Sequence, residues 1–242
     1  MSTTQRTATA QGDAAPPSWV TIPWPGAAVA LGAVAAMVTT SIVAWPEMSA
    51  EIVTRAADGR HGESVSNRAV TAVALPLALL GLTALLSVVL RLDHELLHRT
   101  SLGRDRDPER ARRVLSWTLS GVSVVLLVLH VGLVSLHTGD EFPLEQAVAG
   151  AVGVLLACLG AALPLAAPGG RFDGRLEHFR AALGPAYRLA AFVLVVGGVA
   201  TIAAATISAG AALVAAASAV AGAFLVVIGV ALHRRSNTGG RR

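Results

Sequence analysis

The sequence predicts an all-α integral membrane protein, a bundle of six transmembrane helices. Of its 242 residues, 54% are hydrophobic and 14% are charged, and the mean hydropathy is +0.63. Six segments of about 20 residues contain no Asp, Glu or Arg, and this is the length that a helix needs to cross a bilayer. A soluble domain of ordinary composition is therefore excluded.

The six segments follow one another through short connections. In chain order they cover residues 25–45, 69–90, 114–136, 146–167, 189–208 and 210–232. Only Ala209 separates the last two, which predicts a tight helical hairpin.

Four regions follow from these segments. They are a disordered cytoplasmic tail, a first helix pair, a second helix pair, and a hairpin with a basic C-terminal tail, at residues 1–24, 25–113, 114–188 and 189–242. The first pair includes an external loop at 46–68 and a cytoplasmic loop at 91–113, where Pro108 is expected to begin a helix. A cytoplasmic amphipathic segment at 171–183 is expected to lie on the membrane surface and to end at Gly184 and Pro185.

The distribution of arginine predicts the orientation, because cytoplasmic loops retain positive charge. Arginine supplies all 19 positive side chains. With the N-terminus inside, sixteen arginines are cytoplasmic and three, Arg55, Arg60 and Arg68, are external. Both termini are therefore expected in the cytoplasm of a bacterium, with the chain in the inner membrane. The lipid bilayer is the first expected partner, and no direct contact with nucleic acid is expected because the arginines lie between apolar runs.

Two stretches resemble a known family. After the first segment the chain reads WPEMSAEIVTR from Trp45 to Arg55 and then ADGR at 57–60, and Pro76 lies in the next helix. Later, GAALP at 160–164 precedes a basic loop and a glycine pair at 197–198. These motifs resemble the N-terminal domain-of-unknown-function module and the second half of the SdpI-like family of bacterial multi-pass membrane proteins.

The resemblance implies a non-catalytic protein without a cofactor that gives immunity to a secreted toxic peptide and signals by holding a repressor at the membrane. An external peptide toxin and a cytoplasmic repressor are therefore the expected partners. In the external loop, the expected interaction surface includes Arg55, Asp58 and Arg60. The family has a histidine where this chain has Arg55, and a permanent cation there would suit an anionic group such as a C-terminal carboxylate.

A first alternative is a membrane zinc metalloprotease. His94-Glu95-xx-His98 has the HExxH spacing, which places two histidines on one helical face with Glu95 beside them as the catalytic base. The third ligand would come from the same side of the membrane, where the candidates are Glu109, Asp173, Glu177 and His178. Charged neighbours and a position at a solvated helix end favour a helix-end polar cluster without metal.

His130 in the third segment and His137 directly after it are further candidates. His130 is the only ionisable residue deep inside a span, and such residues are functional hypotheses by default. A neutral imidazole that bonds across the bundle is the simpler interpretation. His137, Asp140 and Glu141 are expected to form an external patch that could bind a cationic group.

Small residues four apart predict close helix contacts, either within the chain or between copies. The stripes are Ala28-Gly32-Ala36, Ala149-Gly153-Ala157 and Ser218-Gly222. A second functional alternative, a small-solute permease, has less support because the sequence contains no internal repeat and no pair of broken helices.

Overall fold

The computed structural model describes residues 22–55, 64–97, 108–166 and 175–239. These residues form six helices and one β-hairpin: α1 Trp24–Ala44, β1 Glu51–Arg55, β2 Ser64–Asn67, α2 Arg68–Leu97, α3 Pro108–Thr138, α4 Leu144–Ala166, α5 Arg175–Ala205 and α6 Ala209–Gly239. Each helix is long and apolar enough to cross a membrane. The predicted six-helix membrane bundle is confirmed.

Turn and cap residues set several helix ends. Pro25 lies in the first turn of α1, and α3 begins at Pro108 as predicted, because proline has no N–H to leave unpaired there. Gly139 has a φ of +77° and starts the turn between α3 and α4, a conformation that favours glycine. Between α5 and α6, the Ser208 hydroxyl accepts a hydrogen bond from the amide of Ala211 at 3.1 Å, which caps α6.

One predicted boundary is wrong. The amphipathic segment was expected to end at Gly184 and Pro185, but α5 continues through both residues to Ala205. Proline removes one backbone hydrogen bond from a helix, yet packing can offset that loss. Ala186 and Ala190 follow the proline in the chain and are 0% and 1% exposed. The part of α5 after Pro185 is therefore packed inside the bundle. Residues 171–174 lie outside the described ranges.

The loop between α1 and α2 contains regular structure that the sequence analysis did not anticipate. Strands β1 and β2 pair in antiparallel register, with Glu51 opposite Asn67 and Ile52 opposite Ser66. The register shifts between Val53 and Arg55. The expected tail at 1–24 lies outside the described residues except for its last three positions, where α1 begins.

The six helices form one continuous bundle, which we describe in two halves. In the first, α1 contacts both α2 and α3, and we name α1–α3 the N-terminal triplet. In the second, α5 packs against α4 and α6, and we name α4–α6 the C-terminal triplet. The contact between α3 and α4 joins the two triplets and is more extensive than any contact within the N-terminal triplet.

Candidate functional site

A hydrogen-bonded cluster connects the hairpin to the ends of α2 and α3. His137, in the last turn of α3, has its Nδ1 2.9 Å from the backbone oxygen of Ser49 and its Nε2 2.9 Å from the Thr71 hydroxyl. The Thr71 hydroxyl is in turn 3.0 Å from the Ser66 hydroxyl in β2. The Ser49 amide also donates to the backbone oxygen of His137 at 2.9 Å. We call these four residues the His137 clasp.

The carbonyl in the clasp determines its hydrogen-bond directions. A backbone oxygen only accepts, so Nδ1 of His137 carries the proton that is donated to Ser49. In the neutral ring Nε2 then accepts from the Thr71 hydroxyl, and Thr71 accepts from Ser66. Both ring nitrogens of His137 therefore have a hydrogen-bond partner, although the residue is only 1% exposed.

Arg68 provides a second attachment for the hairpin at the start of α2. Its amide donates to the Ala50 backbone oxygen at 3.0 Å, and its Nη1 donates to the Met48 oxygen at 3.4 Å. Its guanidinium carbon lies 4.7 Å from the centroid of a Trp45 ring, a cation–π distance. Met48 is 3% exposed. The base of the hairpin is thus tied to α2 as well as to α3.

The external patch predicted from His137, Asp140 and Glu141 is not formed. Asp140 and Glu141 are exposed, whereas the His137 ring is buried and bonds to Ser49 and Thr71. Asp140 instead accepts from the Thr138 hydroxyl at 2.6 Å. His130 and His137 are seven residues apart, which is about two helical turns, so they share the inward face of α3. Asp140 and Glu141 come after the turn at the end of α3 and do not lie on that face.

His130 lies in the interior of the N-terminal triplet. Its Nε2 is 2.9 Å from the Ser41 hydroxyl and 3.0 Å from the Met37 backbone oxygen, both on α1, and the residue is 0% exposed. The predicted bond across the bundle is confirmed. Its Nδ1 is the one buried side-chain polar atom without a partner among the described residues.

The HExxH residues fall at the edge of the described chain. His94 and Glu95 belong to the last turns of α2 by their backbone, and His98 lies outside the described residues. Of the proposed third ligands, Glu109 pairs with Arg113 one turn along α3. Glu177 and His178 belong to α5 by their backbone, and Asp173 lies outside the description. The zinc site stays an alternative that the described residues do not test.

The arginine surface of the external loop is described only in part. Arg55 is the last residue of β1, opposite Ser64, while Asp58 and Arg60 lie outside the described residues. The sequence analysis missed Met48, Ser49 and Thr71, which hold the base of this loop. No sequence signal marks them, because each bonds to a residue far away in the chain.

Comparison with protein-family models, with curated proteins and with solved structures gives no match for this chain. The six membrane-spanning helices define a multi-pass membrane protein. The SdpI-like resemblance rests on the sequence motifs alone.

Proposed function

We propose that this is a non-catalytic protein of a bacterial inner membrane that uses its hairpin as an external recognition surface, in the manner of SdpI-like immunity and signalling proteins. The supporting observation is the double attachment of the hairpin, through the His137 clasp and through Arg68. An isolated two-stranded hairpin is marginal in water, so this one depends on its attachment to the helices. Strands that are held in place before binding avoid part of the entropy cost of recognition.

The chemistry of the loop favours a ligand with an anionic group. Arg55 and Arg60 are permanent cations, and the guanidinium fork matches a carboxylate in two-point geometry. We propose a secreted membrane-active peptide with a free C-terminal carboxylate as the external partner. A repressor bound to the arginine-rich cytoplasmic loops would be the signalling partner.

Survival of expressing cells tests the proposed function. Short membrane-active peptides are made in pairs, with a C-terminal carboxylate or a C-terminal amide, and are applied to cells with and without the chain. We expect protection against at least one carboxylate peptide and weaker protection against its amide. Arg55→Ala should remove this difference, whereas the Asp140→Ala and Glu141→Ala double variant should retain it. Absence of protection from every peptide, or loss only in the double variant, would contradict the proposal.

The same assay separates this function from a protease. Glu95→Gln removes the general base that a zinc protease requires but leaves the hairpin intact. We expect this variant to protect as well as the parent chain. Loss of protection in Glu95→Gln would favour the metalloprotease instead.

The orientation on which the proposal depends has its own test. Reporter fusions after Arg68 and His137 should report an external position, and fusions after Arg113, Arg180 and Arg242 a cytoplasmic one. An external signal after Arg113 would reverse the orientation and remove the hairpin from the outer face.

A further inference from the structure

A groove of about 420 Å³ opens between the starts of α1 and α3, at the opposite end of the bundle from the hairpin. Its lining includes Val29 of α1 and, on α3, Arg112, Arg113, Ser116, Trp117 and Ser120. The groove lies outside the His137 clasp and takes no part in the proposed function.

The lining of the groove changes character along α3. Arg112 and Arg113 lie at the end of the groove away from the membrane interior, which we call its outer end. Ser116 and Trp117 follow four residues later, about 6 Å further along the helix. Ser120 lies one more turn toward the membrane interior. The groove therefore passes from basic to hydroxylic and aromatic within about two turns.

The electrostatics of the outer end favour an anion. Residues 109–113 contain three arginines and one glutamate, so their formal net charge is positive. These side chains already interact within the chain, as Arg113 does with Glu109, and a bound anion would join those interactions. These residues begin the candidate α3 span, and charged residues at the start of a span are expected near the lipid headgroups. Basic pockets between helices at this depth suit anionic headgroups.

The deeper walls are apolar and face outward from the bundle. Val29 is 43% exposed and Trp117 is 45% exposed. Trp24, at the start of α1 on the same side of the membrane, is 54% exposed. Exposed tryptophans at the ends of spans are typical of the bilayer interface, and Trp117 in the groove wall therefore offers contact to an acyl chain.

The floor of the groove depends on a close helix contact. A Cβ on Gly26 would lie 2.6 Å from the Cα of Ser116, so only glycine allows α1 and α3 to meet at this height. Ser116 is 8% exposed and lies against Gly26 at this contact.

We propose that this groove binds one anionic phospholipid, with the phosphate at Arg112 and Arg113, the Ser116 hydroxyl donating to a headgroup or ester oxygen, and an acyl chain along Trp117 and Val29. The combination of a basic outer end and exposed apolar walls matches a lipid better than a soluble anion, which would make no use of the walls.

The test uses the full-length protein in non-ionic detergent, titrated with phosphatidylglycerol, with phosphatidylcholine of the same chains, or with inorganic phosphate. Bound lipid is counted by native mass spectrometry. We expect phosphatidylglycerol to bind at least about tenfold more tightly than phosphatidylcholine, as two basic side chains near a headgroup would provide. Millimolar phosphate should not displace it. Equal binding of both lipids, or displacement by phosphate alone, would overturn the proposal.

Two pairs of variants locate the binding. Arg112→Gln with Arg113→Gln should abolish the preference, whereas Arg91→Gln with Arg188→Gln, which removes the same charge elsewhere, should retain it. Val29→Trp fills the groove and leaves its arginines unchanged, so it should also weaken phosphatidylglycerol binding. Val38→Trp is its control, because Val38 is similarly exposed on α1 at 42%. Equal losses in a variant and its control would contradict a site in this groove.

Discussion

The two triplets differ in how many polar side chains they bury. Seven polar side chains are buried in the described part of the chain, and six of them belong to the N-terminal triplet: Ser41, Thr71, Ser116, Ser123, His130 and His137. The C-terminal triplet contributes only Thr201, whose hydroxyl bonds to its own helix at Gly197. There the helices meet through glycine and alanine instead.

Close backbone approach is most evident between α4 and α5. A Cβ on Gly198 would lie 2.5 Å from the Gly153 oxygen and 2.8 Å from the Ala157 nitrogen. A Cβ on Gly160 would lie 2.8 Å from the Ala191 oxygen. In a membrane, where apolar side chains gain little by leaving lipid, such packing is a main source of helix association.

The difference between the triplets lies in their interhelical contacts. Packing by small residues stabilises a bundle without polar groups, so stability alone explains the buried residues of the C-terminal triplet. Buried polar groups are costly in a membrane, and ionisable ones are functional hypotheses by default. The N-terminal triplet, which carries both buried histidines, the hairpin and the groove, is therefore the half on which both of our proposals rest.

The largest effect is expected from Gly198→Val. Its added carbons would meet backbone atoms of Gly153 and Ala157, which cannot move aside as a flexible side chain can. We expect a loss of about 3 kcal/mol or more in the free energy of unfolding, measured by thermal unfolding in detergent. Gly229→Val is the control, because a Cβ there meets nothing within 4 Å. Equal stability of Gly198→Val and Gly229→Val would refute the close α4–α5 contact.

A smaller and more local effect is expected from His137→Leu. The change removes the ring bonds to Ser49 and Thr71 and leaves their buried polar atoms with fewer partners. We expect a loss of about 2 kcal/mol, with faster hydrogen exchange at the Ser49 and Arg68 amides. Leu136→Ala, a change at a residue that is 52% exposed, serves as the control. Unchanged exchange at both amides would show that the hairpin does not depend on the clasp.

Deeper in the same triplet, His130→Leu should lower the free energy of unfolding by less than His137→Leu does. The Ser41 hydroxyl can turn to the Met37 oxygen of its own helix once the imidazole is gone, as serine does in membrane helices. Interhelical hydrogen bonds in membranes contribute about 0.6 kcal/mol on average. A double-mutant cycle with Ser41→Ala should give a coupling of about 1 kcal/mol or less. A coupling above about 3 kcal/mol would mean that polar contacts contribute more than packing to the stability of the N-terminal triplet.

The sequence was sufficient for the spans because their composition alone meets the requirement for crossing a bilayer. It was sufficient for the inward position of His130, since a lone imidazole in a span has few other stable environments. The His137 clasp could not be predicted from the sequence. Ser49 and His137 are 88 residues apart, and their pairing depends on how α2 and α3 meet. Pro185 was misleading because the packing of Ala186 offsets a local helix-breaking signal.

Small-residue stripes show the same limit of sequence patterns. In α4, the stripe Ala149-Gly153-Ala157 meets α5, and a Cβ on Gly153 would lie 2.7 Å from the Gly198 oxygen. In α1, the similar stripe Ala28-Gly32-Ala36 is exposed, and a Cβ on Gly32 meets nothing within 4 Å. The two stripes read alike because spacing records which residues share a face and not what that face contacts.

The smallest effect, and one of opposite sign, is therefore expected from Gly32→Ala. Alanine has less backbone freedom to lose on folding than glycine has. At an exposed helical site the change should therefore raise the free energy of unfolding by up to about 1 kcal/mol. Gly153→Ala should instead lower the free energy of unfolding by about 1–3 kcal/mol, because its new methyl group collides with α5. Both are measured by thermal unfolding of the purified chain in the same detergent. If Gly32→Ala destabilised the protein as much as Gly153→Ala, the α1 stripe would be a contact surface that the single chain leaves open, and cross-linking through a cysteine placed at Ala28 would then identify a second copy as its partner.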